Sequence, residues 1–271
     1  MRWLMLVLIL IASFKAMAWQ TTYEAICGYK DMPANMGAGW QKLKVLYGND
    51  LWGERPAGVG SKDWPPRVLG LKEEKRIRAL AKHCREEGDS MICIDIEHFN
   101  LSGTDIEAKD AINFYEQVLG WIREANSDAK IGFFGTLPIC DYWRAIRERN
   151  SREYASWFME NKRLDALADA VDIFFPCLYT FYNRPVEWEQ YAKANIHLAK
   201  RWGKPILPFV WPRYHQSNLL LGLKFLSQDY WAEELRFVKS EADGVVVWDY
   251  GSGKSWDPNA VWWQTMIVFN K

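Results

Sequence analysis

Two carboxylates close an apolar run early in the chain. Asp95 and Glu97 follow Met91–Ile94, whose residues are typical of a buried strand. Successive side chains of a strand point to opposite faces, so residues 95 and 97 share one face, about 6.6 Å apart at roughly 3.3 Å per residue. Two like charges at this spacing resist joint ionisation, and a partly buried carboxyl group keeps its proton towards neutral pH. The pair therefore predicts a general acid with a helper. The alternative interpretation is a strand that ends in two solvated acids.

The first 18 residues have the layout of a secretory signal peptide. Arg2 supplies a positive start, residues 3–14 are almost wholly apolar, and Ala16-Met17-Ala18 fits a small-residue cleavage site. The apolar stretch is short for a membrane span, although an uncleaved anchor is the alternative. We expect a secreted or periplasmic protein that does not stay in the membrane after cleavage.

Composition excludes several classes of function. The 34 basic residues balance the 34 acidic ones, which gives no electrostatic footprint for nucleic acid. Five cysteines are an odd number, so at least one is free or intermolecular, and Cys93 and Cys177 are expected to be buried thiols. The four histidines form no HExxH motif, so neither a metal nor another cofactor is expected. His98 and His215 follow strand ends and could line a cleft. The oligomeric state stays open.

Alternating strand and helix patterns predict an α/β fold. We expect a TIM-type (β/α) barrel with seven or eight strands, formed by residues 19–271 as a single domain. The alternative, an open doubly wound sheet, lacks a glycine-rich loop after the first strand. Strands are predicted at Glu24–Gly28, Lys44–Tyr47, Met91–Ile96, Lys130–Gly135, Ile173–Tyr179, Pro205–Trp211 and Gly244–Trp248. Helices are predicted at Lys72–Glu86, Ile106–Ala125, Tyr142–Arg149, Arg152–Ala170, Val186–Arg201, Gln228–Lys239 and Asn259–Phe269.

A barrel gathers the carboxyl ends of its strands at one mouth, where active sites form. Besides the two acids, this mouth is expected to hold Phe134, Tyr179, Trp211 and Trp248. The chain has sixteen tryptophans. Trp52 and Trp64 lie on the loop after the second predicted strand, and we expect them to bind substrate along the cleft. Flat aromatic faces suit stacking on sugar rings, although tryptophan is also a core residue. The pattern favours a carbohydrate cleft.

Six short motifs follow one another along the chain: Lys44–Gly53, Ile94–Glu97, Gly132–Tyr142, Phe175–Tyr179, Pro205–Val210 and Asp243–Trp248. In this order they resemble hyaluronidases. The resemblance extends over roughly residues 24–252, and the chain looks like a distant relative of that family of glycoside hydrolases.

The resemblance implies a retaining endo-hydrolase of an N-acetylhexosamine-containing polysaccharide, of hyaluronan or chondroitin type. Glu97 would protonate the glycosidic oxygen and then activate water, while Asp95 would orient the substrate's acetamido group, which acts as the nucleophile. Tyr179 and Trp248 match residues around that acetamido group.

Other positions carry over less completely. Phe134 stands where the family has a substrate-contacting tyrosine, and Tyr142 closes the same motif as a further predicted substrate contact. Cys27 and Cys140 match disulfide positions whose usual partners we do not find.

Two other functions stay open. A conventional two-carboxylate glycosidase would need a second acid at the mouth, such as Asp249, Glu54 or Asp50. Asp249 directly follows Trp248 and so faces away from its indole, but it is included among the predicted substrate contacts. The other alternative is a non-catalytic sugar-binding barrel, which keeps the tryptophans without needing the acid.

Overall fold

A computed structural model of the chain describes residues 21–55, 57 and 65–270. The strands are β1 Thr22–Cys27, β2 Trp40–Lys42, β3 Lys44–Tyr47, β4 Met91–Asp95, β5 Lys130–Phe133, β6 Phe209–Val210 and β7 Val245–Tyr250. The helices are α1 Gly48–Trp52, α2 Leu71–Glu86, α3 Asp105–Ala125, α4 Arg152–Lys162, α5 Asp165–Ala170, α6 Pro185–Lys200, α7 Gln228–Glu241 and α8 Val261–Phe269. The predicted signal peptide and Trp64 lie outside the described residues.

The strands form two parallel sheets, in the orders β2-β1-β7-β6 and β3-β4-β5. The longest ladder joins β1 to β7, from Thr22 opposite Val245 to Cys27 opposite Tyr250. In the other sheet, Tyr47 at the end of β3 lies opposite Asp95 at the end of β4. Parallel neighbours need long crossovers, and helices supply most of them here. The predicted α/β class with a parallel sheet is confirmed.

The predicted strand Ile173–Tyr179 is not a continuous strand. Only isolated parallel bridges form there, joining Phe175 to Phe134, Phe174 to Ile206 and Cys177 to Phe209. Pro176 has no backbone N–H to donate, which interrupts a ladder. Its carbonyl still accepts from the Phe209 N–H at 2.8 Å. The segment therefore lies between β5 and β6 while its pairing is broken.

Alternation along the strands separates two apolar clusters. On β4, Ile92 and Ile94 belong to the larger cluster, which packs strands against helices, whereas Cys93 belongs to the smaller one. The smaller cluster also takes Ala25 from β1 and Val246 from β7. It thus contains residues of both sheets on one side of the strands, and Asp95 and Glu97 continue that side beyond Cys93.

One predicted helix is wrong and another is divided. Residues 142–149 form turns, one of them closed by the Arg147 N–H and the Arg144 carbonyl at 3.2 Å. The Asp141 carboxylate accepts from the N–H groups of Trp143 and Arg144 as a helix N-cap would, but the Tyr142 carbonyl accepts from the distant Tyr182 hydroxyl. The predicted helix Arg152–Ala170 is two helices, α4 and α5. At the break, the Arg163 guanidinium donates to the carbonyls of loop residues 101 and 103. The short elements β2 and α1 were not predicted.

No helix in the described part of the chain is long and apolar enough to cross a membrane.

Close packing between β5 and the neighbouring segment leads to a stability prediction. A Cβ added at Gly132 would lie 2.2 Å from the Ile173 carbonyl oxygen and 2.9 Å from the Phe175 ring. We expect Gly132→Ala to lower the free energy of unfolding by about 1–3 kcal/mol in urea denaturation. Gly120→Ala in α3 is the control, since a Cβ there meets nothing within 4 Å. It should gain about 0.5–1 kcal/mol from helix propensity. Equal stability of both variants would contradict this packing.

Candidate active site

Asp95 and Glu97 project into a common cavity at the carboxyl end of β4. Asp95 is the last residue of the strand, and the intervening Ile96 is buried towards the other side. Both acids line a cavity of about 140 Å³. Glu97 also lines two adjoining cavities of about 350 and 430 Å³. The structure therefore brings the predicted acid pair together, with Glu97 where three cavities meet.

The surroundings raise the pKa of both acids. Burial, followed by the nearby charge of Glu97, raises the pKa of Asp95 to about 7. Burial of the carboxyl group also raises the pKa of Glu97, although the residue as a whole is exposed at the cavity mouth. Asp95 Oδ1 is buried without a hydrogen-bond partner among the described residues. A buried carboxyl oxygen of this kind is costly unless a ligand or water supplies a donor.

Three aromatic side chains, here called the aromatic wall, line the same cavity as the acids: Tyr179, Trp211 and Trp248. The Tyr179 and Trp248 rings are stacked, with centroids 5.6 Å apart and planes at 29°. Trp211 contacts both, edge-on to Trp248 at 4.9 Å. All three line the 140 Å³ cavity with Asp95 and Glu97. The three residues predicted for this mouth from separate strand ends thus lie around one pocket.

Phe134 and Tyr142 also line the cleft. Phe134 lies between the two smaller cavities, with its ring centroid 5.5 Å from that of Tyr179. Tyr142 lines the 350 Å³ cavity, and its ring stacks on Phe181 at 5.1 Å. Both positions agree with an open path past Glu97.

Asp249 does not fit its predicted contact with substrate. Its side chain is fully buried. Its carboxylate accepts from Trp211 Nε1 at 2.8 Å, from Arg213 Nε at 2.7 Å and from the Tyr29 hydroxyl. The strand alternation that turns Asp249 away from the Trp248 indole also turns it away from the cavity. Its structural contribution is to hold the Trp211 ring in the aromatic wall.

Trp52 is also placed differently from the prediction. It ends α1 rather than lying in a loop, and only 4% of its surface is exposed. Its ring packs edge-on against His98 at 5.2 Å and Phe114 at 6.0 Å. Although it borders the 430 Å³ cavity, a ring buried to this extent has no free face for a sugar.

Tyr47 is a site residue that the sequence analysis missed. Its hydroxyl accepts from Trp248 Nε1 at 3.2 Å, and it lines the same cavity as the acids. Burial raises its pKa to about 12, so it stays a neutral hydroxyl. The signal was available, because Tyr47 ends the strand that pairs with β4.

His215 lines the cleft, as its position after a strand suggested. Burial lowers its pKa, which favours the neutral imidazole near pH 7.

Within the described ranges, no group of three or more potential ligands is arranged to hold a metal ion. All five cysteines are free, and Cys93 and Cys177 are buried as expected.

No protein-family model matches the chain, and no curated protein matches its sequence. The fold is similar to that of bee venom hyaluronidase, with 18% identity, 84% of this chain and 82% of that chain covered, and a TM-score of 0.57. One such structure holds a hyaluronic acid tetramer. An endo-1,4-β-D-mannanase from Thermotoga petrophila matches with 11% identity, 86% and 75% coverage, and a TM-score of 0.56. The chain shares the fold of these glycoside hydrolases. The predicted resemblance to hyaluronidases is therefore confirmed at the level of the fold.

The raised pKa of Asp95 predicts a pH-dependent cost to stability. Between about pH 4 and pH 7 the folded protein keeps a proton on Asp95 that the unfolded chain releases, so this group makes stability fall as pH rises. Asp95→Asn should remove this pH-dependent fall in stability, because an amide does not titrate. The variant should match the wild type near pH 4 and be more stable by about 1–3 kcal/mol near pH 8 in chemical denaturation. A difference that does not change with pH would contradict a buried, protonated Asp95.

Proposed function

We propose that this protein is a secreted glycoside hydrolase that cuts within an N-acetylhexosamine-containing polysaccharide of the hyaluronan or chondroitin type. The observation that carries the proposal is the acid pair on one face of the β4 end, with an unpartnered buried oxygen on Asp95. The hydrolase fold and the aromatic wall support it. The predicted signal peptide supports action outside the cytoplasm.

The first chemical step uses the substrate's own acetamido group. Its carbonyl oxygen attacks the anomeric carbon while the Glu97 carboxyl group gives its proton to the departing glycosidic oxygen. The glycosidic bond breaks and an oxazolinium ring forms on the sugar. Burial suits Glu97 to this step because it raises the pKa of the carboxyl group and so favours the protonated form that a general acid needs.

The second step reverses the use of Glu97. As a carboxylate, it takes a proton from water, whose oxygen attacks the anomeric carbon and opens the oxazolinium ring. Two displacements at one carbon give retention of configuration. Asp95 Oδ1 accepts from the acetamide N–H, which supplies the missing donor and aims the carbonyl oxygen at the anomeric carbon.

The conventional two-carboxylate alternative finds little support. Retaining glycosidases of that kind hold the second carboxyl group across the scissile bond, about 5–5.5 Å from the acid. Asp249 is buried against Arg213, and the Asp50 carboxylate accepts from the Tyr47 N–H at the start of α1. Neither Asp50 nor Glu54 lines the three cavities that meet at Glu97. The acetamido group is the better nucleophile candidate.

We also propose that the two sheets are parts of one closed seven-stranded barrel. Residues 40–47 pair with β1 at their beginning and with β4 at their end, and the Leu43 N–H donates to the Glu24 carbonyl between them. The bridges of residues 174–177 connect β5 to β6 in the same way. The smaller apolar cluster would then be the barrel interior.

The proposal predicts a large effect of a small change at Glu97. Glu97→Gln keeps size and shape but removes the transferable proton, so turnover should fall about 10²–10⁴-fold while substrate binding persists. The measurement is reducing-end release from hyaluronan, chondroitin, chitin oligomers and a neutral glycan. Glu116→Gln, exposed on α3, is the matched control and should retain full activity.

The polymer panel separates the alternatives. Glu97→Gln with near wild-type hydrolysis would exclude Glu97 as the acid. Binding without hydrolysis of any polymer by the wild type would favour the non-catalytic barrel.

A further inference from the structure

A second groove adjoins the candidate active site and has no assigned use. It is a cavity of about 860 Å³, here called the Trp143 groove. It is lined by three segments and one helix residue: Tyr142, Trp143, Ile146 and Arg147; Phe181–Arg184; residues 217–220; and Glu187. Tyr142 lines both this groove and the 350 Å³ cavity that contains Glu97. A polymer that passes Glu97 therefore has a continuous path into the groove.

The exposed ring in this groove is held by a rigid loop. Trp143 is 61% exposed, and its indole meets Phe181 edge-on at 4.9 Å. Asp141 accepts from the Trp143 and Arg144 N–H groups, and the Arg144 guanidinium donates two 2.7 Å hydrogen bonds to Glu160. A large aromatic surface that is fixed before binding loses little entropy when a ligand stacks on it.

The charges at the rim favour an anionic occupant. Arg147 lines the groove and has no ion pair among the described residues. Arg184 also lines it and is paired with Glu187. Arg147, Arg184 and Glu187 together give the groove a net charge of one positive unit. A carboxylate on the ligand would complement Arg147.

We propose that the Trp143 groove is a distal binding site for the polysaccharide chain, in which Trp143 stacks on a sugar ring and Arg147 selects polymers that carry carboxylates. This inference rests on the proposed function, since the occupant is the same polymer that is cut at Glu97. It extends that function by adding a dependence on chain length and by naming Arg147 as the group that recognises the carboxylates of the polymer.

The test of stacking compares ligands of two lengths. Isothermal titration of Glu97→Gln protein with hyaluronan tetrasaccharide and dodecasaccharide measures affinity without turnover. Adding Trp143→Ala should weaken the affinity for the dodecasaccharide about 3- to 10-fold, as expected for one lost aromatic contact. The affinity for the tetrasaccharide should not change. Met159→Ala, 56% exposed on α4, is the control and should change neither affinity. Unchanged dodecasaccharide affinity in Trp143→Ala would overturn the proposal.

The test of charge uses Arg147→Gln, with Arg85→Gln in α2 as the matched control. Arg147→Gln should weaken the affinity for the hyaluronan dodecasaccharide about 2- to 5-fold at low salt, and high salt should remove this difference. The affinity for a neutral chitin oligomer should not change. Equal effects on the charged and neutral oligomers would overturn the selection of carboxylates.

These binding measurements are independent of the chemistry. Normal hydrolysis by Glu97→Gln would refute the proposed catalytic assignment while a Trp143-dependent length effect still supported the groove. Conversely, Glu97→Gln could abolish hydrolysis as expected while Trp143→Ala weakens neither oligosaccharide. That result would refute the groove proposal alone. Self-association of the wild type that Trp143→Ala abolishes in analytical ultracentrifugation, with unchanged sugar affinity, would assign the groove to a protein contact and overturn the proposal.

Discussion

The site depends on the partial burial of two carboxyl groups two residues apart. An isolated strand end would leave Asp95 and Glu97 hydrated and ionised at neutral pH. Here the neighbouring strand ends surround them, so desolvation raises the pKa of both groups and the charge of Glu97 adds to the rise at Asp95. Because both side chains follow the inward alternation of β4, the strand itself fixes their relative orientation. The other residues around the carboxyl ends of the strands maintain this partial burial and orientation of the two acids.

The aromatic wall is held from behind by a buried ion pair. Asp249 and Arg213 lie on the far side of Trp211, and the carboxylate accepts from the indole. Taking two charges out of water is expensive, and such a pair is weak evidence of a stabilising purpose. Its geometric result is clear, since a residue turned away from the cavity determines the orientation of one that lines it. Arg213 further lies over the Phe225 ring at 3.7 Å, which connects this support to the loop after β6.

Much of this site could be predicted from short-range sequence patterns. The acids on β4, the wall residues Tyr179, Trp211 and Trp248, and helices such as α2 and α3 follow from alternation and periodicity, which depend on near neighbours. The errors arose where distant or competing partners decide. Residues 142–149 have a helical pattern, but the Tyr142 carbonyl accepts from the Tyr182 hydroxyl and Arg144 is paired with Glu160, and both partners are distant in sequence. Trp52 is covered by Phe114, from a helix that begins more than fifty residues later.

The most direct measurement of the central claim is the rate of hydrolysis along a series of substrates whose N-acetyl group carries none, one, two or three fluorine atoms. Fluorine withdraws electrons from the acetamido carbonyl oxygen. If that oxygen attacks the anomeric carbon beside Asp95 and Glu97, kcat must fall steeply and steadily along the series. A rate that stays flat would mean that a protein carboxylate or water is the nucleophile, and would contradict the account.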